Sequence, residues 1–149
     1  MSTAVPAHTP TPAPAAREEL SLTRINLMRA GYAFMLVGLA LVKWPLLPEA
    51  HTLPLFEGTT LALLTAMSLL AILGLRYPVK MLSLLLFETT WKLLWLAVVA
   101  LPVAIDGDMS AAMSQVAFNC TFVVFIIAAT PWRYAWTQLV RADGDRWRR

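Results

Sequence analysis

The residues most able to do chemistry stand together in FETTWKLLW, Phe87 to Trp95. Glu88 and Lys92 are four residues apart with the acid nearer the N-terminus, the order that favours an i,i+4 pair on one helix face. Trp91 and Trp95 fall within about 60° of Glu88 on a helical wheel, so an aromatic wall is expected beside the pair. An isolated charge in the middle of a membrane helix costs about 2.5–3.5 kcal/mol on insertion scales, and pairing removes much of that. The pair must then face protein or water. Two kinds of work suit it. One is handling of a proton or small solute, with Glu88 as the titrating group and Lys92 setting its charge. The other is a polar clamp between helices, where each side-chain hydrogen bond contributes only about 0.6 kcal/mol but specifies register.

Partners for the pair are sought on neighbouring apolar runs. A fourth run antiparallel to the third brings Asn119 to the depth of Glu88, with Gln115 one turn outward on the same face. Thr65 and Ser68 on the second run fall near that level. The expected network is therefore Glu88, Lys92, Gln115, Asn119, Thr65 and Ser68, walled by Trp91 and Trp95.

Other reactive residues are scarce. His8 sits in an N-terminal tail and His51 in a loop, so they cannot serve together as axial haem ligands, and His51 with Glu49 and Glu57 is too loosely spaced for a metal site. Cys120, the lone cysteine, lies inside an apolar run as a small buried hydrophobe and excludes an intrachain disulfide. No Ser/His/Asp arrangement, metalloprotease helix or phosphate loop is present. No catalytic residue, metal or cofactor is expected, and no enzyme activity.

The elements that must position these residues follow from composition. Of 149 residues, 58% are hydrophobic and 14% charged, and the mean hydropathy is +0.63, a balance foreign to a soluble domain. Four apolar stretches, 25–47, 58–75, 79–105 and 109–130, approach the roughly 20 residues a helix needs to cross the bilayer. Bare backbone cannot face lipid, and the runs lack period-two alternation, so each span is read as a helix. The fold class is all-α: a polytopic membrane protein with four transmembrane helices in a bundle and a short C-terminal interfacial helix.

Residues 1–23, rich in Pro, Ala and Thr, read as a disordered tail, and no cleaved leader is expected because the first apolar run is membrane-length. Residues 24–131 form the transmembrane domain. Residues 132–149 read as a basic amphipathic tail, where Trp132, Trp136, Leu139 and Val140 recur at helical spacing. Trp132 and Trp136 are expected at the headgroups, with Arg146, Arg148 and Arg149 meeting anionic lipid.

Charge sets the orientation. Arg17, Arg24, Arg29, Arg76, Lys80, Arg133, Arg141, Arg146, Arg148 and Arg149 fall on one side, ten of the twelve Lys and Arg. The other side has Lys43 beside Glu49, Glu57, Asp106 and Asp108. Arg29 and Lys43 are placed close enough to the ends of the first span to reach opposite interfaces. The positive-inside bias puts both termini in the cytoplasm. The scattered cations form no nucleic-acid stripe, so the expected partners are the lipid bilayer and its anionic headgroups, then another membrane protein or further copies of the chain.

The first span, RAGYAFMLVGLALVK from Arg29 to Lys43, followed by three more spans, resembles the DoxX-like group of small bacterial four-helix membrane proteins, with Arg29, Gly38 and Lys43 at the matching positions. The resemblance implies a bacterial inner-membrane protein associated with redox enzymes; FETTWKLLW is not part of it. Small multidrug-resistance transporters also have four spans and a membrane glutamate, but theirs lies in the first span and they tolerate weak charge bias. The leading expectation is an inner-membrane accessory or assembly protein with a polar intramembrane network. The alternatives are a proton or solute carrier using Glu88, and a DoxX-like subunit of a membrane redox enzyme.

Overall fold

The computed structural model describes residues 20–141. The expected tail up to residue 19 and the cations Arg146, Arg148 and Arg149 lie outside the described residues.

The first helix, α1 (Leu22–Lys43), opens at Ser21, whose hydroxyl accepts the backbone N–H of Arg24 at 3.4 Å, the usual way to satisfy an orphan donor at a helix start. Beyond Lys43 the chain tightens into 3₁₀ turns over Trp44–Thr52. Pro45 and Pro48 supply no N–H there, so the expected helix up to residue 47 gives way to shorter-period turns. Helix α2 (Leu55–Arg76) follows Pro54.

Helix α3 runs Leu82–Asp106 and passes through one wide π turn at Leu96–Ala100. Pro102 follows that turn; lacking a donor and crowding the preceding turn, it makes a local widening the low-cost way to continue. Gly107, at φ +80°, closes α3 in the left-handed conformation that suits glycine. Helix α4 (Ala111–Ala129) is capped by Ser110 and interrupted at Phe122. The last helix, α5, starts at Trp132–Trp136 and continues in wide turns to Arg141. Helices α1 to α4 are each long and apolar enough to cross a membrane.

Small residues decide how closely the helices approach. Arg29 Nε donates to the Leu75 carbonyl at 3.3 Å and the Tyr32 hydroxyl to that of Pro78 at 2.9 Å, so α1 and α2 lie antiparallel with the α2–α3 turn against the start of α1. Gly31 lets α1 touch two helices at once: a Cβ there would lie 2.9 Å from the Ala129 Cβ on α4 and 3.6 Å from Leu85 Cδ2 on α3. Around this level Met28, Tyr32, Met35, Met67, Ala71, Leu85 and Ile126 form a buried core, joined by Ala135 from α5. One half of the bundle is therefore densely packed.

The other half is not. Gly38 lies on nearly the same face of α1 as Gly31, about 10 Å further along at 1.5 Å per residue. A Cβ added at Gly38 would meet nothing within 4 Å. Gly38 is exposed and lines an open space that Glu88 and Lys92 also border.

A candidate ligand cavity around Glu88 and Lys92

Glu88 is 1% exposed, and its carboxylate is fully engaged by its own helix. One oxygen faces Lys92 Nζ at 2.8 Å. The other accepts the indole N–H of Trp91 at 2.7 Å. Because 3.6 residues make a turn, positions 88, 91 and 92 share one face of α3, and the long lysine stem leans back toward the N-terminal turn, where the acid waits. Lys92 Nζ also lies 5.7 Å from the centre of the Trp91 ring, within cation–π range. Two charge-assisted contacts on one buried carboxylate, all within one turn, leave no buried side-chain polar atom unpaired among the described residues.

The triad borders a partly open cavity of about 320 Å³ between α1, α3 and α4, with Leu64 from α2, at the lower end of the roughly 300–1,000 Å³ typical of small-molecule sites; Phe34, Gly38, Val42, Val116 and Asn119 along it are exposed. Its apolar wall includes Phe34, Met35, Leu39, Leu64 and Ile126; its polar groups are Lys43, Glu88, Lys92 and Asn119. Cys120 also borders it and is 2% exposed. Phe34 packs against Phe122 and Phe125 at centroid distances of 6.0 and 5.4 Å, closing one flank between α1 and α4.

Only part of the network expected from the sequence assembles here. Glu88, Lys92, Trp91 and Asn119 share the cavity, whereas Trp95, half-buried, does not line it. Thr65 donates to the Leu61 carbonyl at 2.8 Å, within its own helix. Ser68 donates to the Thr65 carbonyl at 2.7 Å and accepts the Trp44 indole N–H at 3.0 Å. The Trp44 indole N–H, just beyond α1, therefore reaches the buried Ser68 while Trp44 stays 39% exposed, and Ser68 bonds it rather than Glu88. Gln115 is exposed and away from the cavity.

Asn119 and Gln115 lie at a different depth from the one expected. Leu85 and Ala129 both meet the level of Gly31, so in the antiparallel pair α3/α4 Glu88 is level with Ile126. Asn119 then lies about 10 Å from that level. The shift arises because the turn at residues 77–81 takes up chain that an even division gives to the third span, and because Ala129 allows close approach near the end of α4. Trp132 and Trp136 are 46% and 57% exposed on α5, and Trp132 Nε1 donates to the Ile127 carbonyl at 2.9 Å.

Two lining residues, Lys43 and Gly38, fall outside the site expected from the sequence. Lys43 is placed at the interface by its nearness to a helix end, yet it belongs to the cavity wall. The signal for it is helical spacing: Phe34, Met35, Gly38, Leu39, Val42 and Lys43 recur at i, i+1, i+4, i+5, i+8 and i+9, a single face of α1. Gly38 on that face leaves the space open. Among the described residues, no three of His, Cys, Asp and Glu gather as metal ligands. Comparison with known proteins gives no match to a family model, a curated protein or a solved structure.

Proposed function

We propose that this chain is a multi-pass membrane protein that holds a small solute or amphiphile in the cavity beside Glu88 and Lys92. The observation that carries the reading is where the pair points. Both carboxylate oxygens are satisfied within α3, so the pair clamps no second helix, and it borders an open volume instead. A polar network that only specified packing would place partners from α2 or α4 on Glu88. The accessory or assembly role lacks that support and stands second.

Membrane insertion is supported by four long apolar helices and by large apolar side chains turned outward, with Leu41, Phe56 and Ile105 at 74%, 82% and 75% exposure. Water would not favour that surface and lipid would. Arg24, Arg29, Arg76, Lys80 and Arg133 gather at one end of the bundle, and Lys43 with Glu49, Glu57, Asp106 and Asp108 at the other. A cytoplasmic face for the first end follows from the positive-inside rule, in a bacterial inner membrane.

Gly38→Leu tests the reading because the new side chain starts in open space and fills the cavity rather than colliding with a neighbour. Protein purified from membranes should carry a small molecule that solvent extraction and mass spectrometry detect. The Gly38→Leu protein should lack it while keeping its helix content and melting temperature. Identical extracts from the two proteins, or none from either, would remove the support for a ligand site.

A further inference from the structure

We infer that the occupant of the cavity is a single-chain amphiphile with an acidic head, held between Lys43 and Lys92, with its apolar body against Phe34, Leu39, Leu64 and Ile126; this rests on the cavity being a ligand site. The charge count decides the head. Two ammonium groups and one carboxylate border the cavity. The carboxylate is already taken up by Lys92 and Trp91, at 2.8 and 2.7 Å. Lys43 has no acidic partner among the described residues, where Glu88–Lys92 is the ion pair formed.

A cation entering the cavity meets two like charges, and each oxygen of the one acid already holds a donor. A neutral guest leaves the half-buried Lys43 ammonium and the spare donors of Lys92 unused. An acidic head can take the donors that remain spare: an ammonium has three protons, of which Lys92 commits one to Glu88, and the Asn119 amide offers two more. The apolar lining argues against a bare inorganic anion, which would exchange its water for hydrocarbon contact. Cavity size favours one short chain over a two-chain lipid.

Cys120 supplies the readout, since it is the only cysteine and borders the same cavity. Full-length protein in phosphatidylcholine nanodiscs is alkylated with N-ethylmaleimide in the presence of dodecanoate or dodecyltrimethylammonium, which share a chain and differ in head charge. Dodecanoate should slow labelling about tenfold and the cationic amphiphile should leave the rate unchanged. Lys43→Gln should raise the half-protecting dodecanoate concentration by about tenfold or more, the loss expected for a charge-assisted contact. Gly38→Leu should be protected with nothing added.

Native mass spectrometry of the same nanodiscs counts bound dodecanoate directly, so a slow thiol does not leave the question open. Equal protection by both heads, or an unchanged dodecanoate response in Lys43→Gln, would overturn the acidic-head inference while leaving the cavity reading intact. No bound amphiphile of either kind, together with wild-type labelling of Gly38→Leu, would overturn both.

Discussion

The ring of Tyr32 on α1 occupies the place where a side chain on Gly74 of α2 would begin, so the two helices meet face to backbone. Tyr32 is wholly buried, and its hydroxyl spans on to the Pro78 carbonyl at 2.9 Å. One side chain thus fixes both the spacing of α1 and α2 and the position of the turn into α3.

Gly74→Ala is therefore predicted to destabilise the bundle by about 1–3 kcal/mol, the usual effect of overpacking, although alanine improves helix propensity by up to about 1 kcal/mol. Tyr32→Phe keeps the ring and loses only the donor, and should cost about 1 kcal/mol. Reversible unfolding in bicelles ranks the two. A neutral or stabilising Gly74→Ala would mean that the close approach is not maintained.

Much of this architecture is legible in the sequence, for a definite reason. Four apolar runs of membrane length and a one-sided distribution of Lys and Arg are properties of whole segments, insensitive to where a side chain packs. Helix ends fall within four residues of the apolar runs 25–47, 58–75, 79–105 and 109–130, because apolar length alone bounds a span. Relative depth is another matter. The level of Asn119 depends on contact between Gly31, Leu85 and Ala129, which no single segment encodes. The pair Glu88–Lys92 is readable because it is local; the cavity beside it is not, being an absence of side chains between helices.

For the pair itself, Glu88→Gln or Lys92→Met alone should cost about 3 kcal/mol by leaving one charge without its partner, and the double change should cost less than either. A double-mutant cycle in detergent or bicelles reads the coupling. Additive effects would show that the two groups do not interact in the folded protein.

The bond from the Trp44 indole to Ser68 gives a third expectation. Trp44→Phe removes the donor to Ser68 and should lower stability by about 0.6–1 kcal/mol. Ser68→Ala removes the same acceptor together with its own bond to the Thr65 carbonyl, and in that background Trp44→Phe should cost nothing further. If Trp44 instead serves as a headgroup anchor, Trp44→Phe will act independently of Ser68→Ala.

Orientation is open to direct labelling. In a Cys120→Ser background, single cysteines at His51 and Asp108 should react with an impermeant thiol reagent in intact cells, and one at Lys80 should react only after the membrane is opened. The reverse pattern would place the termini outside.

That Glu88 finds both of its partners at Trp91 and Lys92 has a consequence for how such a protein is made. A chain emerging from the ribosome delivers α3 before α4 exists. Had the carboxylate depended on Asn119, the helix would have to wait at the insertion machinery with an unshielded charge until the next segment was synthesised. With the acid, the cation and the indole donor all within five consecutive residues, α3 would, on the membrane reading proposed above, leave that machinery already self-neutralised. The later arrival of α4 then has a different task, which is to leave one side of the pair uncovered.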